Sequence, residues 1–283
     1  MPPDSAIVRP LQRSTGSGPR RTRLPTTSRR SPTARARPTT LSRPPDIAAV
    51  VVAIPARDEA ANIARSLRSI DAAAATCAVP VAVVIAADTC HDETAGLALA
   101  TPTSTITVRV AEGRWRGAGR ARAAGVEVAM TGADPARTWI ANTDADCVVP
   151  SGWLQRQLRH AQSGAHAVAG IVTLDRAMTP AHLMAQFTAT YKLSGRNHRH
   201  VHAANFGVRG DAYGHVGGWS THTVLGEDHD LWRRLVRAGL CVVQPTDVSV
   251  TTSSRTSGRI VGGFASALRR LERHESDDAL TAS

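Results

Sequence analysis

Aromatic side chains are scarce, at 4% of the 283 residues. The hydrophobic content is still 42%, so a core is available, but Ala, Val and Leu must fill most of it. No stretch approaches the ~20 consecutive apolar residues that a membrane span needs. The N-terminus carries basic residues with no apolar segment behind them, which excludes a secretory signal. The cysteines, Cys77, Cys90, Cys147 and Cys241, include no C-x-x-C pair. A disulfide framework and a zinc site are therefore not implied, and a reducing cytosol fits. No internal repeat is present.

Acidic residues are nearly missing from one region only. Residues 1–45 hold ten Arg against one Asp, a net of +9. Of the chain's +11, that leaves +2 for the remainder. The high charge suggests nucleic acid at first sight, but the folded part is close to neutral, so no nucleic-acid partner is expected. The same 45 residues are rich in Pro, Ser, Thr and Arg and too poor in apolar groups to offset ordering entropy, so they read as a disordered tail. Order is expected from Asp46, in one domain over 46–260, followed by a C-terminal helix and tail over 261–283.

Ile47 to Ile54 is a continuous apolar run, the mark of a strand buried on both faces. It stops at Pro55. Asp58 is placed to cap a helix carrying Ile63, Leu67 and Ile70. Val79 to Ala86 is a second buried strand, ending at Asp88. Thr94 to Ala100 reads as a helix, Ile106 to Val110 as a strand and Arg120 to Met130 as a helix. Trp139 to Thr143 is a strand, Trp153 to Ser163 a helix and His166 to Val172 a strand. The alternation predicts an α/β fold with a mostly parallel sheet flanked by helices. Beyond it, Pro180 to Tyr191 reads as helical, His198 to Val208 as extended and Gly217-Gly218-Trp219 as a turn. Asp228 to Ala238 is amphipathic, with Leu231, Leu235 and Val236 on one face. A short strand, Cys241 to Val243, and a helix from Gly262 to His274 follow.

The centre of interest is Asp144-Ala145-Asp146. Residues i and i+2 of an extended backbone point to one side, so both carboxylates aim just beyond a strand's carboxyl end. Ligands of open α/β sheets bind at that edge. Two carboxylates so close repel unless a cation joins them, and a hard ion, Mg²⁺ or Mn²⁺, is the natural partner. Three further acidic segments fall near strand ends: Arg57-Asp58-Glu59, Asp88 to Asp92, and Glu227-Asp228. Each alone is explained as a helix cap; four in this order are not.

These segments resemble the family 2 glycosyltransferases of the GT-A fold. The likeness runs from Val-Val-Ala-Ile-Pro55-Ala56-Arg57-Asp58-Glu59 through Asp88 and Asp92. It continues with Gly117 to Gly125, the D-x-D pair Asp144 and Asp146, and the stretch Asn205-Phe206, Asp211 and Gly217-Gly218-Trp219. It ends at Glu227-Asp228 and covers about residues 48 to 260. The turn after the second strand departs from the family: Ala87 stands for a common acidic residue, and Thr89-Cys90-His91 for Gly-Ser-Thr, which implies a looser turn.

The resemblance implies an inverting, metal-dependent transfer from a nucleotide-diphosphate sugar of UDP or GDP type to a hydroxyl of a small-molecule or lipid-linked acceptor. Asp144 and Asp146 would hold Mn²⁺ or Mg²⁺, with Asp146 the more direct ligand. Asp228 would act as general base and Glu227 would orient acceptor or donor. Pro55, Ala56, Arg57, Glu59, Asp88, Arg120, Asp144 and Ala145 would line the donor, with Asp88 on the nucleobase and Glu59 near base or ribose. Arg116, Arg120 and Arg122 either line the diphosphate or solvate a helix. Asn205, Gly218 and Trp219 would face the acceptor. His198, His200 and His202 share one face and read as a polar acceptor wall or solvated edge before a metal site. His222 or His229 would serve as a third metal ligand at low odds. Arg255 and Arg259 would approach the diphosphate or stand as surface charges.

A nicotinamide enzyme is the poorer reading, because its Gly-rich motif belongs after the first strand and position 122 is Arg. A sugar-phosphate nucleotidyltransferase also lacks its Gly-rich loop there. A non-catalytic nucleotide-sugar-binding module is opposed by the intact Asp144, Asp146 and Asp228. Few aromatics and no membrane helix weigh against a processive polymer synthase. The expected location is cytoplasmic, with at most peripheral contact at the inner face of the membrane.

Overall fold

The computed structural model describes residues 6–8, 46–191, 194–223, 225–254, 266 and 268–271. Five parallel strands form its main layer: β1 (Ala6–Val8), β2 (Ala49–Ala56), β3 (Val81–Asp88), β4 (Ile106–Gly113) and β5 (Thr138–Asn142). β6 (Ala167–Ala169), β8 (Phe206–Arg209) and β9 (Val242–Val243) extend it, and β7 (Ile171–Leu174) pairs with β10 (Ser249–Thr252) in a separate ribbon. The spatial order is β1-β4-β3-β2-β5-β8-β6-β9, with β8 antiparallel to both its neighbours and every other pairing parallel. This is the mostly parallel α/β sheet that the alternation predicts.

The apolar run of β2 works as expected. Val50, Val52 and Ile54 enter the core on one face, while Val51 and Ala53 enter the core on the other. Helices α1 (Ile63–Ala74), α2 (Thr94–Ala100) and α4 (Trp153–Gln162) cover the first face. Helices α3 (Ala118–Ala129), α6 (Gly210–His215) and α7 (Glu227–Arg237) cover the second. Leu67 and Ile70 of α1 are sealed inside, so truncating either to Ala should cost about 2–5 kcal/mol. With so few aromatics, two tryptophans are fixed by their polar edges. Trp139 Nε1 donates to Gln157 Oε1 at 2.8 Å, and Trp153 Nε1 donates to Asn205 Oδ1 at 2.9 Å.

Several expectations are corrected. Part of the segment read as a tail is ordered: Ala6–Val8 add an edge strand to β4, because an edge offers unpaired N–H and C=O groups to any short extended segment. Asp58 does not cap α1; that position belongs to Asn62, and Asp58 lies in the left-handed region at φ 49°. β2 runs through Pro55 to Ala56, since Pro55 follows the last β2–β5 pair, Ala53–Asn142. His166 to Val172 is two strands, β6 and β7, that join different sheets. Between them a side chain at Gly170 would meet the Asn205 amide at 2.2 Å. Of His198 to Val208 only Phe206 onward is strand. On α7 the buried face uses Leu231, Trp232 and Leu235, and Val236 is exposed. β10 and α6 were not anticipated. Helix α5 (Ala181–Thr190) packs Leu183 and Phe187 against Leu268. Arg255, Arg259 and most of the helix expected from Gly262 to His274 lie outside the described residues, although Ser266 and 268–271 are helical.

Candidate active site

Every acidic segment singled out in the sequence reaches the carboxyl edge of the parallel strands. β2, β3 and β4 are each followed by a non-glycine residue in the left-handed region: Asp58 (φ 49°), Thr89 (φ 55°) and Arg116 (φ 56°). Among the described residues no other non-glycine has positive φ. Such conformations cost about 1–2 kcal/mol and gather where a site demands a particular backbone path. The turn after β3 is therefore not loosened by Thr89. It keeps the left-handed bend, with Thr89 N–H donating to the Gly113 carbonyl at 2.9 Å and Thr89 Oγ1 to Asp88 Oδ1 at 3.1 Å.

Hydrogen bonds lace the first two turns together. Asp58 Oδ1 accepts the His91 N–H at 2.7 Å, and Asp92 Oδ2 accepts the Ala60 N–H at 3.0 Å. Asp92 also accepts the Thr94 hydroxyl, whose oxygen takes the Glu59 N–H at 2.7 Å. Burial opposes ionisation of Asp92, but the bonds from Thr94 and Ala60 hold its carboxyl below the usual range. Glu59, expected near base or ribose, is buried and accepts the Asn62 amide at 2.8 Å. Asp88, expected on the nucleobase, is buried as well. Its oxygens accept the N–H groups of Trp115, Arg116 and Gly117 at 2.7, 2.9 and 2.9 Å. With Thr89 that makes four donors on one carboxylate, three on Oδ1 and one on Oδ2. Asp88 thus shapes the loop ahead of α3. Arg57 is exposed beside these turns and Pro55 is half-buried, while Ala56 and Ala145 are buried.

The centre of the site is Arg122, one of the three arginines left ambiguous by the sequence. Its side chain is 2% exposed. Nη2 donates to Asp144 Oδ1 at 2.8 Å and Nη1 to Glu227 Oε1 at 3.2 Å. The guanidinium carbon stands 5.1 Å from the ring centre of Trp219, a cation–π distance. One buried cation therefore joins the carboxylate after β5, the carboxylate opening α7 and the Gly-Gly-Trp turn. A Cβ at Gly119 would lie 3.0 Å from Glu227 Cγ, so the glycine lets α3 and α7 approach. Helical spacing carries the signal for Arg122: it falls on the buried stripe of α3 with Gly119, Gly125, Val126 and Ala129, whereas Arg120 falls off it. Arg120 is exposed, and its Nε donates to the Thr221 carbonyl at 2.6 Å.

Asp144 and Asp146 both retain some exposure, and one oxygen of each converges with Cys147 Sγ to within 4.8 Å. Cys147 is sealed in the core, and burial with the two carboxylates pushes its thiol well up. Thr252 Oγ1 lies 3.5 Å from Asp146 Oδ1. His222 and His229 do not enter this group. Asp58, Cys90 and Asp92 converge similarly, but the backbone bonds given above already engage both carboxylates.

On the expected acceptor side, Asp228 Oδ2 accepts the Ala203 N–H at 3.1 Å and Oδ1 the His229 N–H at 2.8 Å. Gly218 has φ 66° and no room for a Cβ, because the Tyr213 ring would be 2.6 Å away. Trp219 N–H donates to Tyr213 Oη at 3.0 Å, and Arg234 Nη2 from α7 donates to the Gly218 carbonyl at 2.7 Å. Asn205 does not face the acceptor. It is buried, and its amide donates to the Ile171 and Val248 carbonyls at 2.8 and 3.0 Å while its oxygen takes the Trp153 N–H. Arg234 and Tyr213 escaped the sequence reading because their role is to hold a turn.

Comparison with known proteins bears on the fold and the family. No curated protein matches the chain's sequence. Among solved structures, a mannosyltransferase from Pyrobaculum calidifontis, in complex with GDP-Man and Mn²⁺, superposes with a TM-score of 0.53 at 19% identity. The match covers 79% of this chain and 61% of that one. Residues 1–349 of S. aureus TarS, in complex with UDP-GlcNAc, superpose with a TM-score of 0.57 at 13% identity, covering 77% and 62%. The chain thus spans a little over three-fifths of each, and at these identities the likeness establishes the GT-A fold. The sequence itself matches Glycosyl transferase family 2 over residues 51–216, more than half of its length, and the chain belongs to that family.

Proposed function

We propose that this chain transfers a sugar from a nucleotide-diphosphate donor, of UDP or GDP type, to an acceptor hydroxyl with inversion at the anomeric carbon. The observation that carries this reading is the Arg122 bridge. It brings the Asp144–Asp146 end of β5 and the Glu227–Asp228 start of α7 into one site. Donor-side and acceptor-side carboxylates are then two walls of one cleft.

Asp144 and Asp146 fit a divalent cation. Their oxygens converge, both reach solvent in part, and oxygen donors suit Mn²⁺ or Mg²⁺. Arg122 already engages one oxygen of Asp144, and Asp146 is the more direct ligand in this reading, as the resemblance implies. When bound, the ion supplies charge neutralisation to the departing diphosphate. The remaining work falls to side chains. Asp228 takes the proton of the acceptor hydroxyl as its oxygen attacks the anomeric carbon and the bond to the diphosphate breaks. Each Asp228 oxygen accepts one backbone N–H, which fixes its direction and leaves a lone pair on each for the substrate. Glu227, held by Arg122, orients the reactants. Trp219, stacked on the same guanidinium, forms the acceptor-side wall. The structural relatives, solved with GDP-Man and with UDP-GlcNAc, support a nucleotide sugar as donor.

The acceptor in this reading is a small molecule or a lipid-linked hydroxyl, in the cytoplasm and with at most peripheral membrane contact. Among the described residues no helix is long and apolar enough to cross a membrane. The test is Asp228→Asn. It keeps the size of the side chain and its place at the start of α7, so a helix-capping role predicts near wild-type turnover. Loss of a general base predicts a kcat lower by roughly 10²–10⁴-fold with donor binding little changed. Wild-type turnover, or a product that retains the donor's anomeric configuration, refutes the assignment.

A further inference from the structure

The three histidines between β7 and β8 gather around one phenol. Tyr191, just after α5, has ring-centre distances of 6.1, 4.3 and 6.0 Å to His198, His200 and His202. Two of the rings are fixed by the backbone. His198 Nδ1 accepts the His200 N–H at 3.1 Å, and His200 Nε2 lies 3.1 Å from the Thr190 carbonyl oxygen, so that nitrogen carries a hydrogen.

His202 is tied differently. Its Nε2 lies 3.0 Å from Tyr191 Oη, and the same oxygen accepts the Val172 N–H at 2.9 Å. The phenol has one hydrogen to give, and His202 Nε2 is the acceptor at hand. With the phenol donating, Nε2 accepts and the histidine's own hydrogen sits on Nδ1, the tautomer on which the proposal below rests. Burial keeps both groups neutral. It lowers the imidazole to about 4 against the pull of Asp228, with His200, His198 and His229 acting in the same direction as burial. It pushes the phenol up to about 12. The His202 residue is half-buried rather than sealed. The N–H of the next residue, Ala203, donates to Asp228 Oδ2 at 3.1 Å. A residue with a fixed donor thus adjoins the residue that takes the acceptor's proton.

We propose that His202 Nδ1–H is a specificity-determining donor of the acceptor subsite. It holds the hydroxyl next to the one that Asp228 deprotonates, so the site selects acceptors with vicinal hydroxyls. Tyr191 is the positioning residue that sets the tautomer. The proposal rests on Asp228 as the base. An acceptor without the second hydroxyl leaves this N–H without a partner.

Histidine-selective ¹⁵N NMR of the full chain at neutral pH reads the tautomer from the two ring nitrogens and needs no turnover. His202→Gln identifies the signals. The wild type should show hydrogen on Nδ1. Tyr191→Phe, which keeps the ring and its packing, should shift His202 towards a mixture of tautomers. Glycerol, a vicinal triol, should move the Nδ1 signal several-fold more than 1,3-propanediol at equal concentration. An Nε2–H ring in the wild type, an unchanged tautomer in Tyr191→Phe, or an equal response to the two alcohols overturns the proposal. The wild-type tautomer decides the matter even where Tyr191→Phe does not fold. If tautomer and response hold but Asp228→Asn turns over normally, Asp228 as the base falls while the fixed donor stands. If Asp228→Asn loses turnover but the ring is Nε2–H, only the His202 proposal falls.

Discussion

Replacing Arg122 by Met separates what this residue does for the fold from what it does for the site. Met fills comparable space and removes the charge. The bond to Glu227 lies in a nearly buried setting, 15% exposed at the carboxylate, and such a charge-assisted bond is worth about 1.5–3 kcal/mol. The Asp144 end is 38% exposed, so solvent screening reduces that contribution to about 1 kcal/mol or less. The Trp219 contact adds about 0.5–2 kcal/mol. Against these losses stand two gains. The guanidinium no longer has to be desolvated, which costs several kcal/mol for a buried ion (~2–5). Its Nε, buried with no hydrogen-bond partner among the described residues, no longer imposes a penalty of about 1–3 kcal/mol. Taken alone these gains exceed the losses, but Met also leaves Glu227 nearly buried without its cation, which costs about 3–5 kcal/mol, so the net loss should be about 1–3 kcal/mol, or several degrees in Tm. Activity should respond much more. Asp144 and Glu227 lose their shared tether, and a shift of about 1 Å in a catalytic group costs on the order of 10²-fold. Scanning calorimetry paired with initial rates of nucleoside-diphosphate release measures both. Arg122→Lys keeps the charge as a single point, so it should restore stability better than rate. A fall in Tm beyond roughly 10 °C would make Arg122 a keystone of the fold, and a wild-type kcat/KM would show that the tether does not matter; either refutes the reasoning.

Three further outcomes are expected. Asp146→Ala should abolish the Mn²⁺-dependent part of UDP or GDP binding; calorimetry giving the same affinity with EDTA in the wild type would remove the cation from the site. Thr89→Gly should change stability by no more than about 0.5 kcal/mol in chemical denaturation, since relief of the strain at φ 55° is offset by glycine's chain entropy and by the lost hydrogen bond to Asp88; a loss beyond roughly 1.5 kcal/mol would refute the strain argument. At Asp71, burial would raise the pKa, but hydrogen bonds from Thr105 and Ser104 outweigh it and lower the folded value. A lowered folded pKa gives stability that is present above the unfolded value and lost as pH falls through the folded one. Asp71→Asn should therefore lose less stability than the wild type as pH falls from about 4 through the lower folded value, and parallel acid-unfolding curves there would refute this.

The sheet was legible because its signal is local. Continuous apolar runs give parallel strands, and each strand's end is marked by Pro, Asp or Gly. The order of acidic segments then pointed to the sheet edge where these segments gather. The breaks in the second half were not legible, because they depend on distant partners. His166 to Val172 reads as one apolar strand, yet it divides at Gly170, where the Asn205 amide and the Val248 carbonyl leave no room for a side chain. Asn205 in turn looked like a substrate contact because it is polar and sits in a family motif. Its three hydrogen bonds to Ile171, Val248 and Trp153 come from positions between 34 and 52 residues away. The backbone task of Asp88 was hidden for a similar reason: a carboxylate at a strand's end suits a ligand and three backbone N–H groups equally well, and only the path of the loop before α3 reveals the second use.

The same comparison shows how the site is built. The three non-glycine left-handed residues follow three adjacent strands, β3 being paired to both β2 and β4. Asp58 and Thr89 belong to turns that are cross-bonded through His91, Ala60 and Thr94, and Arg116 belongs to the loop that Asp88 holds. The carboxylates of these turns are engaged in bonds within and between the turns. Farther along the sheet, Asp144 after β5 and Glu227 on α7 are joined by a single buried arginine on the helix after β4. One side of the site is thus a strained, heavily bonded set of turns, and the other a pair of partly exposed carboxylate clusters, which is the arrangement the proposed transfer needs: rigid support beside groups that can meet a substrate.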